Sequence, residues 1–207
     1  MQFKFKKTTY KISFSFLSLI LLALTTDKIK NLGILLLFAI AHEIVHLIFI
    51  YLFSLSPDEV VFTLFGANIK RGISISNNIN SEILINLSAP VFNIFAGAFF
   101  YFLSKLNVDY NGQFTEISNV NLVLGLFNLI PFYTFDGGNA LKFFILKFFN
   151  EITTEQLITI ISLLVTVGFS FFCIYIFFNY QHNFSLFFMC IYMFLSIIFK
   201  KQNALDY

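Results

Sequence analysis

Long apolar runs separated by short polar connections follow one another along this chain. An apolar stretch of about 20 residues can span a hydrocarbon core of about 30 Å, so each run is a candidate membrane span. Lipid offers the backbone no hydrogen-bond partner, and every span is therefore predicted to be a helix. The six candidate spans lie approximately at residues 10–26, 30–55, 82–104, 117–134, 153–178 and 183–199.

The stretch between the second and third runs has a different pattern. Residues 59–76, EVVFTLFGANIKRGISIS, are rich in β-branched and aromatic residues, and a Gly-Ala-Asn break divides them. This pattern favours a short β-hairpin at the inner membrane surface, with a plain interfacial loop as the alternative. The predicted fold class is an all-α polytopic membrane protein with six transmembrane helices and this hairpin-like segment, in a single domain over residues 1–207.

The composition agrees with a membrane protein that is embedded in a lipid bilayer. Only 12% of the 207 residues are charged, whereas a soluble domain carries about 25%. The net charge of +2 is too small to indicate nucleic-acid binding. The heavy use of Phe, Ile, Asn and Lys, which have AT-rich codons, indicates a low-GC bacterium. Cys173 and Cys190 lie in apolar runs and are interpreted as small core residues rather than as a disulfide or metal pair.

The distribution of Lys and Arg predicts the orientation of the chain. If the N-terminus is cytoplasmic, ten of the thirteen Lys and Arg residues fall on the inner side. Only Lys28, Lys30 and Lys105 then fall outside. Because short cytoplasmic loops carry an excess of positive charge, we expect a multi-pass protein of the cell membrane with both termini in the cytoplasm.

The second run contains an ionisable motif, AHEIVH, at residues 41–46. Each charged group at mid-span costs about 2.5–3.5 kcal/mol on insertion scales, so the motif calls for a function. His42 and His46 are four residues apart and share one helix face, where both imidazoles can bind a single zinc ion. Glu43 is not needed as a ligand and can take the proton of an attacking water. The alternative is a pair of packing histidines with a glutamate bonded to a neighbour.

A catalytic zinc site needs a third protein ligand and one open position. Asp136 is the best candidate, because it lies at the inner end of the fourth run, in NLIPFYTFDGGNALK. Pro131 breaks the helix there, and Gly137 and Gly138 let the backbone turn tightly. The remaining histidine, His182, is interpreted as an interfacial residue.

The two motifs together resemble the site-2 protease family of intramembrane zinc metalloproteases. HEIVH is followed, in the family's order and at a comparable separation, by Asn128, Pro131 and Asp136 with two glycines. Between them, SAPVFN at residues 88–93 resembles the family's Gly-Pro-x-x-Asn element, with Ala89 where glycine is usual.

The resemblance implies hydrolysis of a peptide bond in or near a membrane segment of a membrane-associated protein. It assigns one zinc ion per chain to His42, His46 and Asp136, and the role of general base to Glu43. It also assigns substrate alignment or active-site support to Asn128, Asn93 and Pro131. For each asparagine the alternative is an ordinary interhelical hydrogen bond.

Six spans, the hairpin and the missing PDZ insertion most resemble the stage IV sporulation FB subgroup. Members of that subgroup process a membrane-associated pro-sigma factor, and an inhibitory membrane partner is a further expectation. Many carry a C-terminal CBS domain, which is expected to be absent here because the sequence ends at Tyr207. The segment 59–76 is interpreted as an edge that docks an extended substrate by main-chain pairing.

Two other classes of function are considered. Intramembrane His, Glu and Asp also line ion pathways, so the chain is alternatively a membrane zinc or ion transporter. That reading does not explain the glutamate directly after the first histidine, and no inverted repeat is visible. A catalytically inactive membrane scaffold would be favoured by loss of a ligand or of the base, and neither is lost.

Overall fold

The computed structural model describes most of the chain, which divides into two compact units, Met1–Asn128 and Leu129–Tyr207. The backbone is described for residues 2–5, 8–12, 29–53, 59–63, 66–70, 78–106, 112–179 and 184–203. Side chains are described for residues 33–53, 78–106, 112–179 and 188–198. The single-domain assignment stays a prediction.

The described residues form mainly helices. The first unit contains β1 (Gln2–Phe5), β2 (Thr8–Ile12), α1 (Ile29–Leu52), β3 (Glu59–Thr63), β4 (Gly66–Lys70), α2 (Ile79–Lys105) and α3 (Gln113–Asn128). The second unit contains α4 (Asp136–Leu146), α5 (Glu151–Asn179) and α6 (Phe184–Asn203). The sequence predicts all of these helices except α4, which lies between the fourth and fifth predicted spans and contains two glycines in its first turn.

The four strands of the first unit form one sheet in the order β1-β2-β3-β4. β1 and β2 are antiparallel, β2 and β3 are parallel, and β3 and β4 are antiparallel. In the last pair Glu59 lies opposite Lys70 and Thr63 lies opposite Gly66. This pair falls within residues 59–76, where the sequence favours a hairpin, and its placement at the membrane surface stays a prediction.

The strands at the N-terminus differ from the sequence prediction. β2 includes residues 10–12, at the approximate start of the first predicted span, and these residues form a strand rather than a helix. Residues 13–26 of that span lie outside the described residues. In β1, Phe3 and Phe5 alternate with Gln2 and Lys4, which is a strand period. For this segment the sequence predicts only an excess of positive charge on the inner side.

Three helices in the described part of the chain are long and apolar enough to cross a membrane: Gly33–Leu52 in α1, together with α2 and α5. A shorter apolar segment, Phe188–Ile198, lies in α6. α3 has 16 residues and ends at Asn128, so the predicted span to residue 134 is too long. Large apolar side chains cover the outer helix faces, as lipid contact requires. Six spans remain a prediction.

The core of the first unit is the packing of α2 against α1 and α3. α2 and α3 approach closely at Gly125, where an added Cβ would lie 2.8 Å from the carbonyl oxygen of Pro90. Ala89, one residue earlier on α2, is fully buried. The buried hydroxyl of Ser118 donates to the carbonyl of Gly97 at 2.8 Å. Small residues and interhelical hydrogen bonds are typical of helix contacts in membranes.

The core of the second unit includes a stripe of mostly small residues on α5. The buried positions are Thr154, Ile158, Ser162, Thr166 and Cys173. The Ser162 hydroxyl donates to the carbonyl of Ile158 at 2.7 Å, and the Thr166 hydroxyl donates to that of Ser162 at 2.8 Å. Bonds to the preceding turn satisfy these hydroxyls without water, so the polar stripe is compatible with lipid surroundings.

Candidate metal centre

Helix α1 carries the two histidines of the HEIVH motif on one buried face. His42 is 4% exposed and His46 is 7% exposed. Their ring centroids lie 4.9 Å apart, and the ring planes are nearly perpendicular at 84°. The four-residue spacing produces this arrangement, because residues i and i+4 lie one above the other on a helix. Glu43, one position further round the helix, is half-buried.

A hydrogen bond to each ring fixes which nitrogen can bind a metal. The Nδ1 atom of His42 lies 2.5 Å from Oδ1 of Asn93. The Nδ1 atom of His46 lies 2.9 Å from the carbonyl oxygen of Ile85. Both partners are acceptors, so Nδ1–H donates in each ring and Nε2 bears the lone pair that a metal ligand needs. Bonds of this kind orient metal-ligating histidines in many proteins.

The bond to His42 belongs to a longer chain of buried amides. Nδ2 of Asn93 donates to Oδ1 of Asn121 at 2.9 Å, and Nδ2 of Asn121 donates to the carbonyl of Ile117 at 2.9 Å. Asn93 and Asn121 are both fully buried. The neighbours of each amide determine which of its two atoms is the oxygen and which is the nitrogen. The hydrogen bonds that link α1, α2 and α3 therefore all donate in the same direction. Asn93 is among the predicted site residues and Asn121 is not, although the sequence shows both as amides inside apolar runs.

Asp136 is the first residue of α4. The preceding residue, Phe135, has an extended backbone and makes no side-chain cap, and its N–H donates to the carbonyl of Phe132 at 2.8 Å. A carboxylate in the first turn is favoured by the partial positive charge of a helix N-terminus. Pro131 lies in the non-helical segment between α3 and α4, as expected for a residue without a backbone N–H.

The segment before Asp136 is held by Tyr133, which the sequence analysis missed. Its backbone N–H donates to the hydroxyl of Ser162 on α5 at 3.0 Å. Its phenol donates to the carbonyl of Ser196 on α6 at 2.5 Å. A single residue of the segment is therefore bonded to both long helices of the second unit.

The two glycines after Asp136 are explained by crowding rather than by a tight turn. Both lie in the first turn of α4, and among the described residues only Gly112 has a glycine φ in the left-handed region. A Cβ on Gly138 would lie 1.9 Å from the carbonyl oxygen of Phe132, and one on Gly137 would lie 2.2 Å from that of Leu129. No side chain fits at either position.

The predicted site residues have different surroundings in the structure. His42 and His46 lie together on α1 in the first unit, and Asp136 begins α4 in the second unit. The side chain of Asn128 donates to the carbonyl of Leu124 at 3.0 Å, within its own helix. The ligand and base roles, and the supporting roles of Asn93, Asn128 and Pro131, stay predictions.

Comparison with known proteins finds a structural relative. No family model and no curated protein matches the sequence. The solved structure of the Site-2 Protease from Methanocaldococcus jannaschii is similar, with a TM-score of 0.67 over 95% of this chain and 93% of that chain. The two chains share this fold. At 17% identity the likeness concerns the fold alone.

Proposed function

We propose that this chain is an intramembrane zinc metalloprotease that hydrolyses a peptide bond in or near a membrane segment of another protein. The observation that carries the proposal is the HEIVH pair, whose two rings are buried and held with Nε2 as the ligand nitrogen. The carboxylate of Asp136 in the second sequence motif and the likeness of the fold to that of a site-2 protease support it.

The donor set fits zinc. Two imidazole nitrogens and one carboxylate form a catalytic set that leaves a fourth position open. His42, His46 and Asp136 would hold one ion per chain. A zinc ion at this position would supply Lewis acidity, which lowers the pKa of water to about 7 and polarises a carbonyl.

Glu43 supplies the proton transfers of the proposed reaction. Its carboxylate accepts a proton from the attacking water and returns that proton to the leaving amine. Asn93 supports the site by orienting His42. In this proposal Asn128 aligns the substrate backbone, and Pro131 shapes the segment that carries Asp136.

A helical substrate must become extended before hydrolysis, because its carbonyls are engaged in hydrogen bonds within the helix. We propose β4, residues 66–70, as the strand that pairs with the extended segment. β4 is at an edge of the sheet, and it contacts α1, the helix that carries HEIVH. These two observations support a docking strand near the histidine pair of the same unit.

The substrate class that we propose is a membrane-associated pro-sigma factor, as in the stage IV sporulation FB subgroup, with an inhibitory membrane partner. The six predicted spans, the hairpin-like segment and the missing PDZ insertion are the features that support this more specific assignment. Both termini are proposed to be cytoplasmic. Cysteines introduced near Lys70 and Lys142 should then resist labelling from outside intact cells, and ready labelling would overturn the orientation.

Co-expression tests the function. The chain is produced in cells with a panel of tagged, membrane-tethered transcription factors, and shortened products are detected by immunoblot. We expect a product with the wild-type chain and none with His46→Ala, because that variant lacks one ligand. Zinc uptake by cells, measured in parallel, distinguishes a transporter. Zinc flux that depends on the chain, without any shortened protein, would favour transport and contradict the proposal.

A further inference from the structure

The only two cysteines of the chain are in contact within the second unit. Cys173 on α5 and Cys190 on α6 are both buried, and their sulfur atoms lie 3.0 Å apart. The sequence favours small core residues at these positions over a disulfide or metal pair. The structure shows instead that the two thiols face each other.

The two cysteines occupy equivalent positions in their helices. Cys173 is six residues before the end of α5 at Asn179, and Cys190 is six residues after the start of α6 at Phe184. At a rise of 1.5 Å per residue, each lies about 9 Å from the end of its helix that leads to the connection between them. The contact is therefore a feature of the helix pair near this connection.

We propose that Cys173 and Cys190 are a redox-active dithiol that closes reversibly to an intramolecular disulfide. The sulfur separation of 3.0 Å exceeds a disulfide bond of about 2.03–2.05 Å by only about 1 Å, so a small movement of the two side chains suffices. The partner thiol is already in place. Once one sulfur has been oxidised, attack on it by the other thiol is therefore intramolecular and favoured by proximity.

The oxidant must be an uncharged two-electron acceptor, because buried thiols are shielded from charged reagents. A diazene such as diamide fulfils this condition. In the reaction two S–H bonds break and one S–S bond forms. The two hydrogens, with their electrons, pass to the N=N group, which becomes a hydrazine. A dithiol reductant such as dithiothreitol reverses the change by thiol–disulfide exchange.

The bond would join the two helices that hold the segment before Asp136. Tyr133 bonds to Ser162 on α5 and to Ser196 on α6. Oxidation would thus tie together the two supports of this segment. The proposal concerns only the second unit and does not depend on the protease function.

Counting of free thiols tests the proposal. Wild-type protein in detergent is treated with diamide, unfolded in dodecyl sulfate and labelled with a maleimide that adds mass to each thiol. We expect two labels before oxidation, none after it and two again after dithiothreitol. The matched control is the double variant Cys190→Ser/Phe188→Cys, which keeps two thiols but moves one to an exposed position. It should retain both labels on the monomer.

Three results would overturn the proposal. The wild-type protein could keep both labels after diamide, which would show that the thiols do not react with each other. The control could lose its labels as completely as the wild type does, which would show that the native contact is not required. The bond could also form only between two chains, as a dimer on a non-reducing gel.

Discussion

The substitution Gly138→Ala should displace Asp136 from its position at the start of α4. The new Cβ would lie 1.9 Å from the carbonyl oxygen of Phe132, whereas Cβ atoms essentially never come closer than 3.0 Å to another heavy atom. The two groups must therefore separate by about 1.1 Å. The obstructing atom belongs to the backbone and cannot rotate away. The same carbonyl accepts the N–H of Phe135, so a displacement also breaks the bond that precedes Asp136.

A misplacement of about 1 Å in a positioned catalytic site costs about 10²-fold in rate. We therefore expect Gly138→Ala to lose cleavage by about this factor and to retain less zinc. The matched control is Gly168→Ala in α5, where an added Cβ meets nothing within 4 Å. This control should behave as the wild type does, or be more stable by up to about 1 kcal/mol, since alanine favours a helix.

The assay is zinc content per chain after gel filtration, together with the rate of cleavage of a co-reconstituted membrane substrate. Circular dichroism of both variants separates a local displacement from a loss of helix. If Gly138→Ala kept full zinc and cleaved as fast as Gly168→Ala, the segment before Asp136 would tolerate the displacement. The role assigned here to the two glycines would then be refuted.

Two further pairs of substitutions test the proposed zinc ligands and their surroundings. Asn121→Ala removes the acceptor of the buried Asn93 amide. Zinc affinity, measured by chelator competition, should therefore fall about 10-fold. The control Ser118→Ala removes a separate hydrogen bond between α2 and α3 and should leave the zinc affinity unchanged. An equal loss in both variants would mean that general packing, not orientation of the histidine, is responsible. Asp136→Ala should lower zinc content and abolish cleavage, while His182→Ala should leave both nearly intact, and the reverse outcome would make the third-ligand assignment wrong.

The histidine pair could be predicted from the sequence because its geometry is local. A spacing of four residues in a helix places two side chains together whatever surrounds them. Asn121 and Tyr133 could not be predicted, because their roles depend on which faces of α2, α3, α5 and α6 pack together. The position of an amide in an apolar run indicates burial but does not identify its partner.

Glycine illustrates a second limit of the sequence. The pair after Asp136 indicated that the backbone needs glycine, and the reason inferred was a tight turn. In the structure the reason is instead that both glycines lie very close to backbone carbonyls of the preceding segment. Such a contact depends on three-dimensional packing and cannot be read from the sequence. The N-terminal strands could not be predicted for a related reason, because a short alternating pattern with several lysines also fits a positively charged segment on the inner side of the membrane.

The most direct test of the proposed mechanism is the purified Glu43→Gln variant. Glutamine keeps the size and hydrogen-bonding capacity of the side chain but cannot accept the proton of the attacking water. Removal of a general base costs about 10²–10⁴-fold in rate. We predict one zinc ion per chain, substrate that binds and accumulates uncut, and a rate reduced by this factor. Cleavage by Glu43→Gln at the wild-type rate would contradict the mechanism.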